Sequence, residues 1–128
     1  MATRSIIKIN YGDTKLTLYR HHDGYIAEGG YDLSCLLKTY PKATKLITAM
    51  INRQRSISSY DVESPLYSIQ PCDNMGEEYT YCLDFLEDKL CLTIIKRNYG
   101  TLFTEYDTCE TVASKFYKYC TDERTKSW

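Results

Sequence analysis

Histidine is scarce in this chain: there are two, adjacent at 21 and 22, among 128 residues. A zinc or iron centre takes three or more protein ligands, so a site built on these histidines would need a third ligand from elsewhere in the chain. The six cysteines fall at 35, 72, 82, 91, 109 and 120, and no two form a C-x-x-C pair. That removes the spacing of zinc knuckles and of thioredoxin-type redox sites, so neither a metal nor a cofactor is expected. Long apolar runs are missing too. No stretch reaches the ~18 residues of a membrane span, and the opening MATRSIIKIN lacks the apolar core of a secretory signal. The expectation is a cytoplasmic protein, with no membrane partner and with reduced thiols, most of them at apolar positions where cysteine packs as a small hydrophobe. Charge of one sign is also lacking: 16 Lys and Arg stand against 17 Asp and Glu, with a pI of about 6.1. No global basic field exists to hold a nucleic-acid backbone, which makes nucleic acid an unexpected partner.

What is present suits one small domain. The chain is 43% hydrophobic and 26% charged, and at this length it can bury roughly two thirds of its unfolded surface. Tyrosine is the outstanding bias, with 13 against three phenylalanines and one tryptophan. A phenol ring gives a large rigid face with a polar tip, which suits a binding surface; tyrosine also favours half-buried strands.

Arg4–Tyr11 and Thr14–His22 read as a hairpin around Gly12-Asp13, with Ile9 opposite Leu16 and Ile7 opposite Leu18. Continued alternation puts Arg20 and His22 on the apolar face and Tyr19, His21 and Asp23 on the other, so the two histidines should not converge. After a glycine-containing loop, Asp32 is placed to cap a helix carrying Leu33, Leu36, Leu37 and Tyr40. Pro41 suits the first turn of a second helix, whose stripe is Ala43, Leu46, Ile47, Met50 and Ile51. Residues 54–76 are the least regular, with a short edge strand expected around Leu66–Ile69.

A second hairpin follows. Tyr79, Tyr81, Leu83 and Phe85 are answered by Leu90, Leu92 and Ile94 across a turn at Glu87-Asp88 or Asp88-Lys89. Asn98–Gly100 turns the chain into a further strand over Thr101–Glu105, and Asp107 with Glu110 reads as a capping box. The helix it opens has the stripe Cys109, Val112, Ala113, Phe116 and Cys120, and Thr121–Trp128 reads as a frayed polar tail. The order β-β-α-α-β-β-β-α predicts an α+β fold: an antiparallel sheet built from two hairpins, with helices packed on one face. Residues 1–120 form one domain in this reading, followed by the 121–128 tail.

The candidate site is the corner at 18–31, LYRHHDGYIAEGGY, with Tyr19, Arg20, His21, His22, Asp23, Tyr25 and Tyr31 as binding residues. Histidine titrates near neutral pH and an adjacent carboxylate can orient it, so His21 with Asp23 is the pair on which acid–base catalysis would rest. Arg20 would then hold a phosphate or carboxylate. Alternatively Asp23-Gly24 simply turns the chain, with His21 hydrogen-bonded to the aspartate. A phosphate cradle at the loop is disfavoured by Asp23, Glu28 and Asp32, which would repel an anion.

The opening RSIIKI, the segment YRHHDGYI and the leucine-rich helix after it resemble small proteins encoded by bacteriophages and prophages. Those proteins begin with an RS-x-I strand and carry a Y-x-H-x-D-G-Y-P turn after a short hairpin. Tyr19, His21, Asp23, Gly24 and Tyr25 match that turn; Ile26 stands in place of the proline, and His22 where an aromatic residue is frequent. RSISSYD and EEYTYCLDF look like later parts of the same pattern. The resemblance implies a mobile-element origin and an α+β fold, and it brings no established activity. The expected function is that of a non-enzymatic binding protein in the host cytoplasm. It would be a counter-defence inhibitor that sequesters a host protein or a small nucleotide-like messenger, with a homodimer as one possible form. The rival is a small enzyme acting on a phosphorylated or nucleotide substrate through His21, Asp23 and Arg20.

Overall fold

A computed structural model describes residues 3–57, 62–69 and 76–126. The first hairpin joins β1 (Ser5–Tyr11) to β2 (Thr14–Arg20), with Ile7 opposite Leu18 and Ile9 opposite Leu16, as the alternation predicts. Gly12 opens the turn at φ 56°, a left-handed conformation that favours a residue without Cβ. The second hairpin joins β6 (Tyr79–Leu86) to β7 (Lys89–Lys96) and turns at Glu87-Asp88, pairing Tyr81 with Ile94, Leu83 with Leu92 and Phe85 with Leu90. A last strand, β8 (Gly100–Thr108), extends this meander and runs longer than the sequence suggested.

The two hairpins join side by side through β1 and β6, which run parallel from Ser5 opposite Tyr79 to Tyr11 opposite Phe85. With β5 (Ser68–Ile69) on the outer edge of β2, the result is a six-stranded sheet in the order β5-β2-β1-β6-β7-β8. It is antiparallel except for that central pair. A parallel pair needs a long crossover, and the helices between the hairpins supply it. A separate two-stranded ribbon, β3 (Gln54–Ile57) with β4 (Val62–Pro65), lies in the stretch that looked irregular.

Three helices complete the fold: α1 (Tyr31–Thr39), α2 (Ala43–Asn52) and α3 (Cys109–Lys126). Ile7, Ile9, Leu18, Tyr81, Leu83, Leu92 and Ile94 occupy alternate strand positions and therefore share one sheet face. They form one buried cluster with Leu33, Leu37, Leu46, Met50, Val112 and Phe116 of the helices. Among the described residues no helix is long and apolar enough to cross a membrane. Cys35, Cys82, Cys91, Cys109 and Cys120 are free thiols, and Cys72 lies outside the described residues.

Four local expectations are corrected. Asp32 does not cap α1; it lies inside the first turn with its carboxylate turned to arginines, and a single π-helical turn at Ile26–Gly30 leads into the helix instead. Asp107 belongs to β8, and the α3 cap is Thr108, whose Oγ1 accepts the Thr111 N–H at 3.2 Å. The segment after Thr121 is not frayed through Lys126: α3 continues through it, and the Arg124 guanidinium donates to the Ala27 carbonyl at 3.4 Å. Pro41 sits just before α2 rather than in its first turn.

The register carries a direct test. Leu18 is fully buried in the core, whereas Thr17 faces the other side of the sheet. Leu18→Ala is expected to cost about 2–5 kcal/mol in urea denaturation, and Thr17→Ala well under half of that. Equal losses would contradict the register.

Candidate functional site at the strand-to-helix corner

The last residue of β2 is Arg20, and its side chain extends the apolar face of the strand into the protein. It is 5% exposed. Its Nε donates to the His22 carbonyl at 2.8 Å and its terminal nitrogen to Asp32 Oδ2 at 2.9 Å, with the guanidinium 5.9 Å from the centre of the Tyr67 ring. Burial works against the charge, but Tyr67 and Asp32 outweigh it and the pKa is raised overall. Arg53 stands 3.9 Å from the other oxygen of Asp32. Arg20 is therefore a latch that ties the end of β2 to the first turn of α1. It is buried, with its Nε and one terminal nitrogen committed to partners within the fold.

Beyond Arg20 the strand ends, and with it the alternation that set the two histidines apart. Their rings meet edge to face, with centroids 4.4 Å apart, which corrects the expectation that they diverge. His21 is exposed and His22 half-buried. The partner of His21 is also different from the one expected: the Tyr19 hydroxyl and His21 Nδ1 share a hydrogen bond of 2.7 Å. Asp23 is exposed in the left-handed region at φ 58°, where an aspartate is tolerated at a turn. Tyr25 follows, 36% exposed, its phenol pKa raised by desolvation and by the negative charge of Glu28 and Asp23.

The glycines of this corner serve close packing. The Gly24 N–H donates to the Thr3 carbonyl and its own carbonyl accepts the Tyr81 hydroxyl, both at 2.8 Å. A Cβ on Gly24 would stand 2.6 Å from Ser5 Cβ, and one on Gly29 would stand 2.6 Å from the Asp23 carbonyl oxygen. Burial holds the Tyr81 phenol well above its ordinary pKa, so it acts as a neutral donor beneath the loop.

Tyr31 belongs to a different cluster. Its ring lies 5.7 Å from that of Tyr117, with the Arg124 guanidinium 4.2 Å above it, and Lys38 sits 4.4 Å from the Tyr117 ring centre. Hydrogen bonds with Tyr117 and Cys35 push the Tyr31 phenol up to about 12, so it is not a nucleophile near neutrality. Tyr117 and Arg124 were missed in the sequence because they fall off the apolar stripe of α3. Their spacing of seven residues, two helical turns, was the available signal.

Five of the seven candidates, Tyr19, His21, His22, Asp23 and Tyr25, thus form one continuous segment, with Arg20 folded inward beneath it and Tyr31 turned to α3. No group of three His, Cys, Asp or Glu able to hold a metal ion occurs among the described residues. Hollows lie elsewhere among the described residues. One of about 580 Å³ opens between α1 and α2, and one of about 960 Å³ lies at the hairpin ends, lined by Asn10, Asp84, Glu87, Lys89, Cys91 and Tyr106. No protein-family model matches the chain, and comparison with curated proteins and with solved structures gives no match.

Proposed function

We propose that the chain is a non-enzymatic binding protein that engages a macromolecular target through the exposed corner. The observation that carries this reading is the division of labour at the corner: Arg20 is buried against Asp32, while His21, Asp23 and Tyr25 stand at the surface on a closely packed turn, with the half-buried Tyr19 hydrogen-bonded to His21. A rigid segment with aromatic rings and a carboxylate at its tip offers contact area at low entropic cost, the chemistry of a protein-recognition surface. The enzymatic alternative needs Arg20 beside His21 in one site, and the latch gives Arg20 other partners. The likeness of the turn to bacteriophage and prophage proteins supports a mobile-element origin and a host protein as the target, with inhibition by occupancy as the mode of action. Host cytoplasm is the matching location.

His21→Ala and Tyr25→Ala test this reading, since neither residue is core. In host cells expressing the chain, both variants are expected to lose target capture and biological effect together, by about tenfold or more if these residues dominate the contact. Inhibition by the wild type should saturate at one chain per target. Full effect in both variants would remove the corner from the function.

A further inference from the structure

We propose that the slot between α1 and α2 is a binding site for a nucleoside phosphate, apart from the corner. It starts from spacing in α2. Lys45 and Ala49 stand one turn apart on one ridge, Thr44, Thr48 and Asn52 form the ridge beside it, and Arg53, the extended C-cap residue, lines the same hollow just past the helix end. At 1.5 Å per residue the backbone positions of Lys45 and Arg53 lie about 12 Å apart along the axis, one towards each end of the hollow. Ala49 between them has only a methyl group, so the floor of the slot is lowest at its midpoint. Across from this ridge stand Leu36 and Tyr40, one turn apart at the end of α1.

The slot is an open groove of about 580 Å³, within the range of small-molecule sites, ~300–1,000 Å³. Its lining includes two cations and no carboxylate. Arg53 remains 45% exposed, with only a loose 3.9 Å approach to Asp32, and so keeps donors for a ligand. A cation at each end, an aromatic and aliphatic wall on one side and an amide at Asn52 on the other match a flat heteroaromatic ring joined to an anionic group. The ring lies over Ala49 against Tyr40 and Leu36, Asn52 hydrogen-bonds its edge, and the phosphates pair with a cation at one end. A purely apolar ligand would leave both cations unused, and a bare anion would leave the Tyr40 wall unused.

Isothermal titration of the full chain with ATP, GTP, CTP and UTP, each separately, tests the proposal, with adenosine and inorganic tripolyphosphate as controls. At least one nucleotide is expected to bind about tenfold or more tightly than either control at physiological salt. Ala49→Leu, which fills the floor, and Lys45→Gln, an exposed change that leaves the fold intact, should each weaken that binding by about tenfold. Three results would overturn the site: no binding of any of the four nucleotides at millimolar concentration, tripolyphosphate binding as tightly as the best nucleotide, or unchanged affinity in both variants.

Discussion

Gly29→Ala is expected to be among the most damaging single changes in this protein, costing about 3 kcal/mol or more. The added Cβ would meet the Asp23 carbonyl oxygen at 2.6 Å and the Gly24 Cα at 2.9 Å. Both are backbone atoms, so no rotamer change relieves the contact. Moving Gly24 away is blocked in turn, because it packs on Ser5 and its carbonyl accepts the buried Tyr81 hydroxyl. The control is Gly12→Ala. Gly12 has nothing within 4 Å of its notional Cβ and only its φ of 56° to disfavour alanine, a cost of about 1–2 kcal/mol. Urea denaturation should therefore separate the two variants clearly. Equal, small losses would mean that the corner is a loose loop, and the rigid turn presenting His21 and Tyr25 would be lost with it.

Arg20→Met carries the second large effect. Removing one member of a buried ion pair typically costs ~3–5 kcal/mol. Here the Asp32 side chain is 26% exposed and keeps Arg53 at 3.9 Å, so about 2–3 kcal/mol is the expected loss after discounting for that exposure. Lysine should not restore it, because a single ammonium cannot reproduce the guanidinium fork that reaches both the His22 carbonyl and Asp32. The pairing is tested by the double variant Arg20→Met with Asp32→Leu, which leaves no unpaired carboxylate and should be more stable than Arg20→Met alone. An Arg20→Met protein as stable as the wild type would show that the latch contributes nothing. Because the latch holds the base of the corner, its loss should also weaken target binding, although Arg20 itself does not reach the surface.

Much of the framework was legible in the residues. Both hairpin registers followed from alternation and turn chemistry, because those rules act between near neighbours: Ile7 with Leu18, and Leu83 with Leu92, are set by Gly12-Asp13 and Glu87-Asp88. The stripe of α3 followed from its helical period. What could not be read depends on the rest of the fold. The parallel joining of β1 to β6 is a choice between distant segments that carries no local signature. Asp32 looked like a cap because a carboxylate near a helix start often is one; the buried Arg20, twelve residues earlier, takes it instead. Alternation failed at His21 and His22 for the same kind of reason, since the strand stops at Arg20 to let that latch form. Of the candidate residues, Tyr19, His21, His22, Asp23 and Tyr25 stay together along one segment, whereas Arg20 folds inward onto Asp32 and Tyr31 packs against α3, two placements set by partners distant in the sequence.

The central claim is occupancy without chemistry at the exposed corner, and mass spectrometry of the target tests it most directly. Wild-type chain is titrated against a fixed amount of captured target, and the target is then released by denaturation and weighed. The account predicts an unchanged target mass, inhibition that is complete only at one chain per target, and loss of that complex in His21→Ala and Tyr25→Ala. A target altered in mass, or complete effect at far below one chain per target, would contradict it, because turnover is what a binding protein lacks.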